Sequence, residues 1–566
     1  IAELLVNVGT NAHQRAIALA PLASGGFVVT WESEESPSGP TDIIARVFDA
    51  HARPLMGDVA VNAWTTGSQH RSRVAGLVGG GFVVAWNGEG ETDELGLFAR
   101  VFDGQGVAQG GDLLLPTVTE GEQGVASVAP RADGGFVAAW ESDGYVDDPY
   151  FGVYARAFDV TGAPLGGEVH VNQHTAAAQR SATIEPLLDG RFLVAWWGES
   201  AWSTRHAPIA RFLGADLTPD GDDFALSEPY DATQAGSFVA SLVDGGFVGS
   251  WRADDRAGAG TGWQPYLRRF DATGAAQAAS FTLYEPDRAP IAEGVAKVTG
   301  LASGGFVAAW SAGHATNDND AWLRWFDAQG VSSQTLRANV AEGSTGSGTA
   351  PSVVQLEGGA VAVAWSNGQD GSGDGVFVRL YGTDRQPLLP GDLDSDGLVG
   401  DADPDEDGDG IEDDGNASDV VGDAPCTGGA TTGCDDNCLD EANPDQADAD
   451  GDGIGDACEP DEGLVPPDFD HDGLEDGDDP CPTVWSPGAL DASLCPSVPA
   501  GLTSRRALSL SQPGTATGVA SERRTAEPVE LTLQAGRIDD SVVALWRLDG
   551  DALDAGPRGH VGSAAG

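Results

Sequence analysis

The heptapeptide Gly-Gly-Phe-Val-Val-Thr-Trp at residues 25–31 is the first of seven related stretches, in each of which turn residues precede an apolar run that reaches a tryptophan. Successive tryptophans are 54 to 59 residues apart in this chain of 566 residues. A nearly constant spacing of this size indicates one structural unit that is repeated along the chain. The tryptophans are Trp31, Trp86, Trp140, Trp196, Trp251, Trp310 and Trp365.

The third copy shows what one unit contains. Apolar runs at Val125–Pro130 and Phe136–Trp140 flank the tripeptide Asp-Gly-Gly, which predicts a hairpin turn. An alternating run at Tyr154–Phe158 and, after a further turn, a short run at Val169–Asn172 predict two more strands. Four antiparallel strands in one repeat are typical of a β-propeller blade, since a free-standing sandwich needs about 100 residues.

The two ends of the array predict how the ring of blades closes. The fourth-strand pattern occurs first at Glu3–Asn7, ahead of any complete copy, and the seventh copy stops after its third strand, Val376–Tyr381. The simplest arrangement places the amino-terminal strand in the seventh blade, because closure then leaves no exposed sheet edge. We therefore predict an all-β fold with a seven-bladed β-propeller over residues 1–387, closed by strand 3–7.

Each predicted third strand ends in an aromatic residue. We assign these side chains and the seven tryptophans to the core, because large aromatic groups contribute most when they are buried. The third-strand aromatics are Phe48, Phe102, Phe158, Phe212, Phe270, Phe326 and Tyr381.

A different pattern follows the array. Four runs place aspartate at every second position and then a glycine, at residues 392–397, 405–410, 448–453 and 468–473. Calcium takes six to eight oxygen ligands, and a tight loop with glycine at its sixth position can direct alternate side chains at one ion. Further acids at positions 9 or 12 would complete the cages. The predicted ligands of several Ca²⁺ ions are Asp392, Asp394, Asp396, Asp403, Asp405, Asp407, Asp409, Asp413, Asp448, Asp450, Asp452, Asp456, Glu459, Asp468, Asp470, Asp472, Asp476 and Asp479.

The charge of this stretch supports bound cations. Between Asp392 and Asp479 there are 33 acidic residues and no lysine or arginine, within a formal net charge of −59. Without counterions such a stretch would repel itself and stay unfolded. A solvated acidic linker of low complexity is the alternative. The apolar residue at position 7 of every run favours the calcium interpretation; these residues are Leu398, Ile411, Ile454 and Leu474.

The six cysteines all lie between residues 426 and 495. An even number in a segment too polar to form a core indicates disulfides and an oxidising compartment. Zinc is the alternative, although paired Cys-x-x-Cys motifs are missing from the sequence. Six cysteines allow 15 pairings. Among these pairings we favour Cys438 with Cys458, because they flank the third run.

The stretch from Asp435 to Cys458, Asp-Asp-Asn-Cys-Leu-Asp-Glu-Ala-Asn-Pro-Asp-Gln-Ala-Asp-Ala-Asp-Gly-Asp-Gly-Ile-Gly-Asp-Ala-Cys, resembles the thrombospondin type 3 repeat. The resemblance covers most of residues 392–482, and Leu439 stands where the family usually has proline. It implies an irregular, calcium-filled and disulfide-pinned stalk of the kind found in extracellular and cell-surface proteins and linked to adhesion. We expect this stalk over residues 388–496, which we call the acidic segment.

The propeller repeat resembles repeats of large secreted bacterial surface proteins in three successive motifs. These are Gly-Gly-Phe-Val-Val-Thr-Trp, then Ala-Arg-Val-Phe-Asp, then Val-Asn. The loops after the second and fourth strands of each blade share one side of a propeller, which we call the loop face. Acids with nearby tryptophans predict a glycan or calcium-assisted ligand site there, and a solubilising rim is the alternative. The acids are Glu32, Glu34, Glu35, Glu89, Glu91, Asp93, Glu94, Asp143, Asp147, Asp148, Asp254, Asp255, Asp318, Asp320, Asp370 and Asp374, and the tryptophans are Trp64, Trp202 and Trp263.

The carboxyl-terminal part carries two further predictions. Residues 497–528 are rich in Ser, Pro, Ala, Thr and Gly, a composition typical of a flexible linker. Within residues 529–566, the runs Val543–Asp554 and Gly559–Gly562 resemble the start of a laminin-G or concanavalin-like domain. That stretch is too short for a complete sandwich, so we expect an incomplete domain.

Composition narrows the function. The large negative charge disfavours nucleic acid, whose phosphates it would repel, and no apolar run is long enough to span a membrane. We expect a secreted or cell-surface bacterial protein that binds a protein or glycan ligand of the cell surface or matrix. The alternative is a secreted polysaccharide lyase or glycoside hydrolase with its active site on the loop face. We expect no enzyme, since no catalytic motif stands out in the sequence.

Overall fold

The computed structural model divides the chain into two units, Ile1–Gly408 and Asp409–Gly566. Of the predicted carboxyl-terminal domain, two paired strands of two residues each are described, so the laminin-G resemblance stays a prediction; the linker 497–528 lies outside the described residues. The structure describes residues 3–9, 13–34, 40–90, 96–145, 147–148, 150–200, 203–229, 233–254, 263–283, 291–292, 294–314, 318–339, 351–368, 374–390, 405, 407–413, 415, 425–427, 430–438, 442–448, 454–458, 547–548 and 551–552.

The described part of the first unit consists of β-strands and one short 3₁₀ helix, Glu357–Gly359. The strands are β1 (Leu4–Leu5); in blade 1, β2 (Gln14–Pro21), β3 (Phe27–Glu34), β4 (Thr41–Phe48) and β5 (Val59–Ala60); in blade 2, β6 (Gln69–Gly76), β7 (Phe82–Gly88), β8 (Gly96–Phe102) and β9 (Leu113–Leu114); in blade 3, β10 (Gln123–Pro130), β11 (Phe136–Ser142), β12 (Gly152–Phe158) and β13 (Val169–His170); in blade 4, β14 (Gln179–Pro186), β15 (Phe192–Ser200), β16 (Ser203–Leu213) and β17 (Pro219–Ala225); in blade 5, β18 (Gln234–Ser241), β19 (Phe247–Asp254), β20 (Trp263–Phe270) and β21 (Phe281–Thr282); in blade 6, β22 (Ile291–Ala292), β23 (Lys297–Gly300), β24 (Phe306–His314), β25 (Asp318–Phe326) and β26 (Leu336–Arg337); and in blade 7, β27 (Ser352–Gln355), β28 (Val361–Asn367) and β29 (Gly375–Tyr381). In the second unit the strands are β30 (Arg547–Leu548) and β31 (Asp551–Ala552).

Seven antiparallel sheets form a seven-bladed β-propeller, which confirms the predicted all-β fold. In most blades four consecutive strands pair in chain order, and in blade 6 both β22 and β23 pair with β24. Blade 7 takes three strands from the end of the array and its fourth from the start, with Leu4 opposite Val378 and Leu5 opposite Phe377. The amino-terminal strand therefore completes the last sheet.

Packing between blades is continuous around the ring. Seven clusters of buried apolar side chains join the blades, and each cluster draws on two successive blades. The cluster that contains Phe27 and Val29 of blade 1 also contains Ala362 and Ala364 of blade 7. The apolar runs of the second strands are thus buried on both faces, as inner strands of a propeller require.

The periodic aromatic residues form the predicted core. All seven tryptophans and all seven third-strand aromatics are at most 5% exposed. Second-strand and third-strand rings stack within a blade, for example Phe306 on Phe326 with centroids 4.4 Å apart. Buried indole groups also need a hydrogen-bond acceptor. Trp196 meets this need by donating from Nε1 to Oε1 of Gln179 on the first strand, at 2.8 Å.

An arginine on the third strand ties most blades to the preceding one. In blade 2, Nη1 of Arg100 donates to the carbonyl oxygen of Val61 in blade 1 at 3.0 Å, and Nε donates to that of Gly110 at 2.7 Å. Its guanidinium also lies over the ring of Phe102, 5.7 Å from the centroid. Sequence reasoning missed this role of the arginine in the recurring Ala-Arg-Val-Phe motif. The equivalent bonds join Arg46 to Val6, Arg156 to Leu115, Arg211 to Val171 and Arg379 to Ala338.

The first strand of blade 4 carries a carboxylic acid that is partly buried. Oε1 of Glu185 on β14 accepts hydrogen bonds from the backbone N–H and the hydroxyl of Ser241 in blade 5, at 2.9 and 3.0 Å. Burial raises the pKa of the Glu185 carboxyl to about 7, and the two bonds from Ser241 only partly oppose this shift. The folded propeller therefore favours the neutral acid.

Replacing Arg100 by methionine should destabilise the propeller by about 1–3 kcal/mol, because the carbonyl of the buried Val61 and that of the exposed Gly110 lose their donor. Arg100→Lys should fall between the wild type and Arg100→Met, since one ammonium cannot reproduce both bonds of the guanidinium fork. Urea unfolding at constant Ca²⁺ measures both changes. Equal stability of Arg100→Met and the wild type would contradict the inter-blade role.

Glu185→Gln should stabilise the propeller at alkaline pH and not at acidic pH. The pKa of about 7 in the folded state lies above the ordinary glutamate value of 4.5, so the wild type loses stability as the pH rises through this window. The amide keeps the acceptor for Ser241 without a charge, and the gain at pH 8 should reach up to about 3 kcal/mol. Urea unfolding at pH 5 and at pH 8 checks this expectation. A gain of equal size at both pH values would show that ionisation is not its cause.

Candidate metal centre and ligand-binding face

Three predicted calcium ligands converge in the second aspartate run. Asp405, Asp407 and Asp409 each offer a carboxylate oxygen, and these oxygens lie within 4.8 Å of one another. Gly410 follows at the sixth position with φ of 93°, the conformation that the tight loop requires. Oxygen donors on a short loop are what a hard cation such as Ca²⁺ prefers, so this triad could hold a metal ion.

Neighbouring groups orient the carboxylate of Asp409. Its Oδ1 accepts the backbone N–H of Ile411 at 2.8 Å, and its Oδ2 accepts that of Asn443 at 2.9 Å. Ile411, the apolar residue at position 7 of the run, is 6% exposed. The loop is therefore anchored both to an apolar contact and to a distant part of the acidic segment.

Two disulfides hold this part of the acidic segment together. Cys438 pairs with Cys458, which confirms the favoured bridge, and Cys426 pairs with Cys434. Cys481 and Cys495 lie outside the described residues. With four cysteines of the described part in disulfides, the zinc alternative has no thiolate ligand there.

Buried amides fill the space that the disulfides enclose. Asn437 accepts on Oδ1 from Nδ2 of Asn443 at 2.7 Å, and its backbone N–H donates to Oε1 of Gln446 at 2.9 Å. Gln446 in turn donates from Nε2 to Oδ1 of Asp436 at 2.8 Å. Hydrogen-bonded polar side chains here take the place of an apolar core.

Asp436 is a candidate ligand that sequence reasoning missed. It is 3% exposed, and its Oδ2 is buried without a hydrogen-bond partner among the described residues. Burial raises the pKa of this carboxyl, and the charge of Asp409 raises it further. A cation near both carboxylates would remove this repulsion. Only the folded structure identifies Asp436 as a candidate ligand, because residue 436 lies outside every alternating run.

The remaining predicted ligands divide into two groups. Asp413, Asp448 and Asp456 are described, and the backbone N–H of Asp456 donates to the carbonyl of Ala447 at 2.8 Å, which turns the chain around the start of the third run. The others lie outside the described residues and stay predictions: Asp392, Asp394, Asp396, Asp403, Asp450, Asp452, Glu459, Asp468, Asp470, Asp472, Asp476 and Asp479.

On the propeller, two acids assigned to the loop face are part of strand β3 instead. Glu32 and Glu34 are 5% and 7% exposed. Glu34 pairs with Arg15, and Oε1 of Glu32 accepts the backbone N–H of Arg71 at 2.6 Å. Glu32 thus joins blades 1 and 2, and Glu34 is bound within blade 1. Neither acid is part of an exposed loop, so the prediction for them was wrong.

The loop of blade 3 carries a cluster of charged and aromatic groups. His170 lies between two carboxylates, with Nδ1 3.1 Å from Asp147 and Nε2 3.4 Å from Asp148. Its ring stacks on Tyr154, which stacks on Tyr145 with centroids 3.8 Å apart. Burial lowers the pKa of His170, but the two carboxylates outweigh burial and raise it overall. Asp148 is fully buried, and its Oδ2 also accepts a hydrogen bond from Nδ2 of Asn172 at 3.1 Å.

Two of the loop tryptophans are described. Trp64 is 38% exposed, and Trp263 packs under the guanidinium of Arg252 at 4.7 Å. Several other predicted residues of the loop face lie outside the described residues, namely Glu35, Glu91, Asp93, Glu94, Trp202, Asp255 and Asp370.

Residues 447–488 match the family model of the thrombospondin type 3 repeat. This match covers the third and fourth aspartate runs and supports the resemblance inferred from residues 435–458. No curated protein matches the chain. Within the described residues, no helix is long and apolar enough to cross a membrane.

Several solved structures show distant similarity to the chain at low identity. A protein of unknown function from Dyadobacter fermentans is 12% identical, with 67% of this chain and 97% of that chain covered and a TM-score of 0.42. The α-L-arabinofuranosidase Arb93A from Fusarium graminearum is 13% identical, with 68% and 98% covered and a TM-score of 0.38. The NanB sialidase from Streptococcus pneumoniae is 8% identical, with 68% and 71% covered and a TM-score of 0.40. At these values the likeness says nothing about activity.

Asp407→Asn should weaken Ca²⁺ binding at the triad by at least about tenfold, because affinity at such sites depends on the number of charged ligands. Glu412→Gln is the matched control, since it removes the same charge from an exposed side chain nearby. Isothermal titration calorimetry on the full chain measures the number of sites and their affinities. If the two variants lose affinity equally, the triad acts only through net charge.

Proposed function

We propose that the chain is an extracellular binding protein in which Ca²⁺ stiffens the acidic segment and the propeller provides the surface for a ligand. The observation that carries the proposal is the thrombospondin type 3 match, together with the converging carboxylates of Asp405, Asp407 and Asp409. Ca²⁺ then acts as a structural component, because it neutralises carboxylates that otherwise repel one another.

The cysteine chemistry supports the extracellular part of the proposal. The bridges Cys426–Cys434 and Cys438–Cys458 enclose short loops in a segment without an apolar core. Such bridges persist in oxidising compartments and are rare where thiols are kept reduced. A secreted or cell-surface location accords with these bridges and with the millimolar affinity of extracellular calcium sites. The sequence of the propeller repeats favours a bacterial source.

We propose that the ligand is a protein or glycan of the cell surface or matrix. On the loop face, the exposed ring of Trp64 and the tyrosine–histidine stack of blade 3 offer apolar faces next to carboxylates. Sugars and protein side chains bind to such mixed surfaces, because aromatic rings pack against apolar faces and carboxylates accept hydrogen bonds. Adhesion is the function that combines this surface with a calcium-stiffened stalk.

A non-catalytic propeller is part of the same proposal. Buried acids of the described loop face already have partners, as Asp148 has in His170 and Asp374 has in His13. A polysaccharide lyase or hydrolase is the rival function, which needs two carboxyl groups free to reach substrate. Incubation with a polysaccharide panel and an assay for new reducing ends separates the two. Binding on a glycan array without turnover would support adhesion, and new reducing ends would support the enzyme.

Removing Ca²⁺ should unfold the acidic segment and leave the propeller folded. Chelation leaves the dense negative charge uncompensated, whereas the propeller is held by apolar packing between blades. Differential scanning calorimetry of the full chain in Ca²⁺ and in EDTA should show one transition that disappears and one that keeps its midpoint. EDTA saturated with Ca²⁺ is the control. A propeller midpoint that falls together with the first transition would contradict the proposal.

A further inference from the structure

The first strands of the seven blades enclose the axis of the propeller. Consecutive first strands, β2, β6, β10, β14, β18, β23 and β27, are neighbours all the way around the ring, including β27 with β2. The space that they surround is called the central channel here. Among the described residues, the side chains of these strands are the ones nearest to this axis in every blade.

Sheet register identifies one residue of each first strand at the same depth. In each blade this residue lies opposite the one that immediately precedes the tryptophan of the second strand, as Arg73 lies opposite Ala85 and Lys297 opposite Ala309. The ring at this depth has two cations and no acid. Its members are Ala18, Arg73, Ser127, Thr183, Phe238, Lys297 and Ser352.

Lys297 is the single lysine in the sequence of 566 residues. Its Nζ lies over the ring of Phe238 from the neighbouring blade, 3.4 Å from the centroid. Among the described residues it has no carboxylate within ion-pair distance and no hydrogen-bond acceptor. Burial lowers the pKa of this ammonium well below its usual value, and the charge of Arg73 lowers it further. A half-buried cation thus lacks a counterion in a chain whose net charge is strongly negative.

Arg73 approaches from the other side of the axis. It belongs to blade 2 and Lys297 to blade 6, so the repulsion between them acts across the central channel. Nη1 of Arg73 donates to the carbonyl of Ser72 at 2.9 Å. Arg71, on the same strand, adds to the positive charge, and burial together with Arg71 lowers the pKa of Arg73.

Two acids of the blades around the channel, Glu32 and Glu185, are already engaged elsewhere, and Glu141 bonds to Arg180 and to the backbone N–H of Ser181. Glu32 raises the pKa of Arg73, but its carboxylate also accepts the backbone N–H of Arg71 and lies 3.8 Å from Arg15. Glu185 of blade 4 accepts two hydrogen bonds from Ser241 and favours its neutral form. None of these carboxylates therefore neutralises Lys297.

We propose that the central channel binds a small oxyanion between Lys297 and Arg73. Two cations that face each other across a partly dry space are destabilised by desolvation and by mutual repulsion, and one bound anion offsets both effects. The guanidinium of Arg73 presents a fork suited to a carboxylate or a tetrahedral oxyanion, and the ammonium of Lys297 acts as a point charge beside it. The ring of Phe238 closes one side of the site and restricts it to small ligands.

The first test is a thermal unfolding titration of the full chain in Ca²⁺, with sulfate or acetate added at constant ionic strength in chloride. The propeller midpoint should rise and then saturate, because the anion binds only the folded state. Sulfate also stabilises proteins without a binding site, an effect that does not saturate and that no single substitution removes. The sulfate and acetate arms tell a tetrahedral oxyanion from a carboxylate.

Three variants locate the effect. Lys297→Met and Arg73→Met should weaken the apparent anion affinity by roughly tenfold or more, since each removes a charged donor. Arg385→Met removes a cation from an exposed turn and should bind as the wild type does. Loss of saturation in the first two variants alone supports the site, and an unchanged titration in Lys297→Met overturns it.

A second measurement does not depend on how the variants fold. Because Lys297 is the sole lysine, acylation of the full chain followed by peptide mass spectrometry reports one side-chain amine. Sulfate should slow its acylation near neutral pH, because a bound anion favours the protonated, unreactive form and occupies the space in front of Nζ. The α-amino group is the internal control and should keep its rate. An acylation rate of Lys297 that is independent of sulfate and acetate would rule out the anion site.

Discussion

Burial between blades is the interaction on which the first unit depends. A single blade has two apolar faces and cannot cover either of them, so every blade is stable only between two others. The strand pair of β1 with β29 decides whether the seventh blade is complete. There Oδ1 of Asn7 accepts the backbone N–H of Val376 at 2.8 Å. The backbone N–H of Val6 donates to the carbonyl oxygen of Val376, also at 2.8 Å. These bonds make the two ends of the array parts of one sheet.

The acidic segment meets the opposite constraint. It is too rich in acids to form a large apolar core, so disulfides and hydrogen bonds order its described part, and the proposed cations would offset the repulsion between its carboxylates. Asp436 lies near Asp409, since the backbone N–H of Asp436 donates to the carbonyl of Glu412 at 3.3 Å. Gln446 is hydrogen-bonded to Asp436, and the backbone N–H of Asn443 donates to Asp409. The same chain thus combines a unit held by apolar packing with a segment whose described part is held by disulfides and buried hydrogen bonds.

Local periodicity made the fold predictable, while contacts between distant residues did not show in the sequence. The tryptophan spacing, the turn signals and the early strand at Glu3–Asn7 are short patterns, and together they predicted the propeller. In the same way, the second aspartate run predicted the triad. Glu32 looked like a loop acid because nothing local reveals that β3 continues past Trp31 toward Arg71 of the next blade. Asp436 was not predicted as a ligand for a similar reason, since it lies in no alternating run and is identified only by its position in the folded segment.

The bond from Val376 to Asn7 spans 369 positions of the chain. Closing a loop of that length costs about 5 kcal/mol of chain entropy, which the final sheet must overcome at once. During synthesis the amino-terminal strand emerges first, yet its partner is made only after six blades and most of the seventh. Until then the nascent protein carries an orphan strand at one end and an open sheet edge at the other, both prone to aggregation. Productive folding of such a chain therefore favours keeping the early blades from associating until the last blade has been made, so that ring closure is the step that completes the propeller.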